Sequence, residues 1–137
     1  GTTKKTFEVL AVEWVRHARA LLGVAGALDA AFYVGGYSVE CALKAVITKG
    51  ETLPEKGFAD RVYTHDLDEL IKLAGLRAAF AHASAVNPGL HRSWQAVQTW
   101  NEAARYTRGR SQADVERFLN AIDHTSDGVL PWLQQSW

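Results

Sequence analysis

Phe32-Tyr-Val-Gly-Gly-Tyr-Ser-Val-Glu-Cys-Ala-Leu-Lys-Ala-Val-Ile47 is the stretch that decides the fold. Phe32, Gly36, Val39, Leu43 and Val46 recur at steps of three and four, the period of an amphipathic helix. The pattern extends from about Asp29 to Thr48, with Lys49-Gly50 as a cationic last turn and a C-terminal glycine. Tyr33, Tyr37, Glu40 and Lys44 share a strip beside the apolar stripe, so their polar tips converge while their stems pack. Glu40 placed four residues before Lys44 is the favourable order for an intrahelical ion pair, worth about 0.2–0.5 kcal/mol on an exposed helix. A carboxylate beside packed aromatics demands a further cation or several donors, and Arg105 is the expected one.

Upstream, Phe7, Leu10, Ala11, Trp14, Ala18, Leu21 and Leu22 form one face of a first helix that Gly23 and Gly26 end. Downstream, residues 51–63 hold Pro54 and Gly57 with little periodicity, and a long exposed loop is expected there. Asp66 and Glu69 look like a capping box opening a third helix through Leu67, Leu70, Ile71 and Ala74, with Gly75 at its end. A short helical piece over 76–83 precedes Asn87-Pro88, the N-cap and first position of a fourth helix striped by Leu90, Trp94, Val97, Trp100 and Ala104. Ser111 and Asp114 open a last helix through Val115, Phe118, Leu119 and Ile122, after which Gly128 and Pro131 break the pattern and 129–137 form a short apolar tail. No segment alternates with period two. The fold class is therefore all-α, an up-and-down bundle of four or five helices in one domain over 1–137.

Fifteen basic and fifteen acidic side chains cancel, so no global field draws in nucleic acid or an anionic membrane, and no DNA partner is expected. Any such binding must come from a local patch. Cys41 is the sole cysteine, which excludes an internal disulfide and a multi-thiolate zinc site and fits a reducing, cytoplasmic setting. No membrane span is expected at the N-terminus or in any later window. Five tryptophans put heavy apolar area on helix faces, some of it expected at a homodimer interface.

Arg105-Tyr-Thr-Arg-Gly-Arg110 is the densest positive cluster. Arg105, Arg108 and Arg110 with Tyr106 suit phosphate or RNA, and equally suit a solvated loop whose arginines satisfy helix carbonyls. His65 beside Asp66 fits an oriented acid–base imidazole, with the aspartate as a plain helix cap the alternative. His17, His82, His91 and His124 lack ligand spacing, so neither a metal site nor a cofactor is expected. Arg117 and His124, seven residues apart, share a face opposite Val115, Leu119 and Ile122, and only a dimer interface would make them a site.

Tyr33-Val-Gly-Gly-Tyr-Ser-Val-Glu-Cys-Ala-Leu-Lys-Ala45, Thr64-His-Asp-Leu-Asp-Glu-Leu70 and Trp100-Asn-Glu-Ala-Ala-Arg-Tyr106 resemble, in content and order, segments of the HEPN domain family. The resemblance implies a four- or five-helix bundle, commonly homodimeric, in a family of RNA-cleaving toxins, nucleotide-binding modules and partners of minimal nucleotidyltransferases. It points to Glu40, Lys44, His65, Arg105 and Tyr106 as a polar pocket or buried brace, hence to a nucleotide- or RNA-associated module with a nucleotidyltransferase or toxin–antitoxin partner. Catalytic members carry arginine, four to six residues, then histidine, with a polar residue after the arginine. Arg117 and His124 match that spacing and imply a metal-independent ribonuclease as the alternative, but Phe118 stands where the polar residue belongs. A structural oligomeric bundle without a ligand is the third reading.

Overall fold

The computed structural model describes residues 3–48 and 64–137, with Arg105 described in its backbone alone. Lys49-Gly50 and the expected loop over 51–63 lie outside the described residues. Within them the chain forms α1 (Lys4–Leu21), α2 (Leu28–Thr48), α3 (Leu67–Leu73), α4 (Arg77–Val86), α5 (Pro88–Val97), a 3₁₀ turn (Glu102–Tyr106), α6 (Gln112–Asp123) and α7 (Val129–Gln134). This is an all-helical bundle.

The helix starts follow from side chains that satisfy the orphan N–H groups of a first turn. Asp66 accepts from the N–H groups of Asp68 and Glu69, Asn87 from Gly89 with Pro88 behind it, and Ser111 from Asp114. At the close of α3, Gly75 takes a φ of 72°, and the N–H groups of Gly75 and Leu76 donate to the carbonyls of Lys72 and Ile71. That is the Schellman pattern, which only a residue free of a Cβ enters cheaply.

α2 is the central element, with α1, α3, α6 and α7 packed on it. Ser38 Oγ donates to the Ala11 carbonyl while Gly35 lies against Ala18, so α1 and α2 run antiparallel. Val39, Leu43, Leu70, Leu119, Ile122 and Leu133 are fully enclosed, each contributing about 1.5–3 kcal/mol by burial. Contrary to the sequence expectation, α2 is long and apolar enough to cross a membrane, with a mean hydropathy of 1.2 over its best window. Some 72% of that window is buried in the bundle, and a helix covered on nearly every side carries the same apolarity.

Two expectations need correction. The fourth helix does not run to Ala104: α5 stops at Val97, and Asn101 is extended at φ −152°. Trp100 leaves the helix because it inserts against Gly36, where a Cβ would meet its ring at 2.2 Å, and its Nε1 donates to the Tyr33 carbonyl at 3.0 Å. The tail after Gly128 is helical rather than broken. Gly128 is its N-cap and Pro131 falls in the first turn, where a missing N–H costs nothing. Of the tryptophans, Trp94 and Trp100 are buried, and Trp14, Trp132 and Trp137 are half-buried against the core.

Gly36→Ala should destabilise the protein. Alanine gains up to about 1 kcal/mol of helix propensity, but forcing a methyl into a buried indole costs about 1–3 kcal/mol. Urea denaturation should show a net loss, and a rise in midpoint would refute the tight fit.

Candidate functional site

Glu40 and Lys44 lie one turn apart on α2, 4% and 6% exposed. Lys44 Nζ donates to Glu40 Oε2 at 3.1 Å, and His65 Nδ1 donates to Glu40 Oε1 at 2.7 Å. An ionised carboxylate only accepts, so the proton of a neutral His65 ring is on Nδ1 and the lone pair on Nε2. That Nε2 faces Glu102 Oε1 at 3.8 Å. His65 is thus a hinge pin between α2, the entry to α3 and the 3₁₀ turn. It also lines an open cleft of about 420 Å³ with Thr64, Asp66, Asp68, Gln98 and Asn101. Asp68 is held in place there by Gln98 Nε2, at 2.7 Å.

An aromatic band borders the polar cluster. Tyr37 touches Trp14, Tyr33, His65 and Trp100, with ring centroids 4.9–6.4 Å apart. The Tyr33 and Tyr37 hydroxyls bond at 2.7 Å. Burial pushes the Tyr37 phenol upward, and the Tyr33 hydroxyl and the charges of Glu40 and Glu102 add to the rise. Cys41, next to Glu40, is pushed up by burial to about 12, so its thiol stays protonated and unreactive.

The predicted residues divide into separate places. Glu40, Lys44 and His65 meet as expected, and the backbone of the turn carrying Arg105 and Tyr106 packs on α2. The side chain of Arg105 lies outside the described residues, while Tyr106 is 74% exposed. Lys44, expected to reach a ligand, is folded inward onto Glu40 and acts as its counter-charge. Arg108 is exposed. Arg110 is turned away from the cleft: its guanidinium stacks 3.8 Å above the Phe32 ring and pairs with Asp29 at 3.6 Å. Asp29 also accepts the N–H groups of Gly109 and Arg110. Sequence reading missed Asp29, whose only signal was a carboxylate in the first turn of α2.

Arg117 and His124 are exposed and line one groove, as the wheel required, but their chemistry is already committed. Arg117 pairs with Asp114. His124 Nδ1 accepts from the N–H groups of Ser126 and Asp127 at 3.3 and 3.1 Å, so the lone pair that a general base needs is spent on the turn after α6. No cluster of three or more metal-ligating side chains occurs among the described residues. Compared with protein families, curated proteins and solved structures, the chain matches none.

Glu40→Leu should cost about 3–5 kcal/mol in urea denaturation by stranding a buried ammonium. The double variant Glu40→Leu/Lys44→Leu should recover much of that loss, and purely additive costs would refute the pairing. Acid sensitivity should come in part from Asp29. Its slight burial favours the neutral form, but the Arg110 and Gly109 N–H groups and the Arg110 guanidinium outweigh this and lower its pKa. Its stabilising effect is therefore complete above the ordinary carboxylate value of about 4 and fades as pH falls through the lower folded value. Asp29→Asn should flatten that limb of the stability–pH curve, and an unchanged limb would refute its contribution.

Proposed function

We propose that this chain is a cytoplasmic, homodimeric HEPN-like module that binds a nucleotide or RNA base at the His65 cleft, without catalysis of its own, beside a nucleotidyltransferase or toxin–antitoxin partner. The observation that carries the reading is His65, pinned by a buried carboxylate so that Nε2 opens onto a cleft rich in acceptors and bordered by aromatic rings. Carboxylates and amides suit the N–H edge of a base. The chain order of the three segments that resemble the family supports the same assignment. The ribonuclease reading draws no support from His124, whose Nδ1 is occupied. A purely structural brace is favoured by one observation, the inward turn of Lys44 onto Glu40.

Calorimetric titration of mononucleotides and a short RNA against the wild type, His65→Ala and Arg105→Ala separates these readings. Ligand binding should weaken by about tenfold or more in His65→Ala, which is a loss of about 1.4 kcal/mol. Absence of binding in the folded wild type, or equal binding in His65→Ala, removes the ligand site. Lower thermal stability of the variants with unchanged binding would establish the brace.

A further inference from the structure

The His65 cleft has two walls, residues 64–68 at the entry to α3 and residues 98 and 100–102 leading into the 3₁₀ turn. One tie already spans it, from Gln98 Nε2 to Asp68 Oδ1 at 2.7 Å. A second pair of groups faces across it, His65 Nε2 and Glu102 Oε1, but at 3.8 Å they stand beyond hydrogen-bond length. The proton count of a neutral imidazole forbids that second bond. Nδ1 is 2.7 Å from Glu40 Oε1, and a carboxylate only accepts, so the one proton of the neutral ring is committed there. Nε2 then presents a lone pair to a carboxylate, and two acceptors do not attract.

Charging the ring changes this. A doubly protonated imidazole donates from both nitrogens, and histidine is the side chain that gains its second proton between about pH 5 and 8. The other titratable groups packed around it are engaged elsewhere: Lys44 with Glu40 Oε2, Tyr37 with the Tyr33 hydroxyl, Asp66 with the first N–H groups of α3, and Asp68 with Gln98. Glu102, on the turn that also carries Arg105, is the carboxylate set against Nε2. The His65 side chain is 33% exposed, so a proton reaches the ring without unfolding.

We propose that His65 is a proton-operated latch on this cleft. Neutral, it leaves the cleft open at the Glu102 end. Protonated, it bridges Glu40 and Glu102, fastens the 3₁₀ turn to α2, and takes from the cleft two acceptors, its own Nε2 and Glu102 Oε1. The regulatory consequence rests on the base-binding reading above: a ligand that offers N–H groups is held at neutral and alkaline pH and released on acidification. The latch stabilises the fold only where the ring is charged, so its effect is present at acidic pH and lost as pH rises through the histidine range.

Urea denaturation of the full chain at about pH 5.5 and pH 8 tests the latch without a ligand. Glu102→Gln removes a charge at an exposed position. It should raise the unfolding equilibrium constant about two- to fivefold at the lower pH, the range of an exposed ion pair, and leave it nearly unchanged at the higher. In a His65→Gln background the same change should have no pH-dependent effect. An equal effect of Glu102→Gln at both pH values, or the same pH dependence without His65, would overturn the latch. Should His65→Gln fail to fold, hydrogen exchange of the Ala104 amide, which donates to the Asn101 carbonyl at 3.0 Å within the turn, decides in its place. Corrected for the intrinsic rate, its protection should rise on acidification in the wild type and stay level in Glu102→Gln, and level protection in both would overturn the latch. Adenosine, neutral across this range, reads the cleft itself: its affinity should fall about threefold or more from the higher to the lower pH in the wild type. Unchanged affinity would overturn the control of the cleft. Absence of binding at both pH values would remove the base site and the regulatory consequence with it, while the stability result still decides the latch.

Discussion

The carboxylate of Glu40 is the constraint around which one end of the bundle is arranged. A buried charge without partners carries a penalty of several kcal/mol, larger than any single apolar contact nearby can offset. Lys44 meets one oxygen from one turn further along the same helix, which takes no rearrangement of the chain. The other oxygen is met by His65, which lies beyond the α2–α3 connection, so satisfying Glu40 fixes where α3 must begin. The Asp66 cap on the next residue then starts that helix in place. A local electrostatic requirement thus becomes a long-range restraint.

The second restraint is an absence of side chains. Gly35 and Gly36 cut a notch into α2 that admits Leu119 on one side and the Trp100 indole on the other. Seating Trp100 there bends the chain out of α5 and delivers the 3₁₀ turn, with Glu102 at its start, to the cleft beside His65. The notch carries a helix-propensity cost of about 1 kcal/mol per glycine. Burial of two large side chains outweighs it. Tyr33 and Tyr37 rest on the same indole, so the aromatic band beside the cleft is held by packing.

The all-helical class, the caps at Asp66, Asn87 and Ser111, and the meeting of Glu40 with Lys44 were legible because each depends on spacing within a few residues. The stop of α5 at Val97 was not. The apolar period runs on through Trp100 and Ala104, and the deciding fact, the notch at Gly36, lies more than sixty residues away. Pro131 misled for the opposite reason. Proline breaks a helix interior but fits a first turn, and only the position of Gly128 as N-cap tells the two apart. At the site, the resemblance grouped Glu40 with His65, but the cation expected to meet the carboxylate was Arg105, and the engagement of Arg110 by Asp29 and Phe32 had no signal beyond a lone aspartate.

Electroneutrality over the whole chain conceals a division of charge that the fold creates. Asp66, Asp68 and Glu102 line the His65 cleft without a lysine or arginine among its described lining residues. Arg92, Arg110 and Arg117 mark the α5–α6 seam. Surface fields decay within roughly 8–10 Å at physiological ionic strength, so each region attracts ligands by its own sign rather than by the total. An acceptor-rich cleft favours N–H groups, whereas arginine-bearing grooves favour anions. The packing of α3 and the 3₁₀ turn on one side and of α5 against α6 on the other keeps the two environments on separate surfaces.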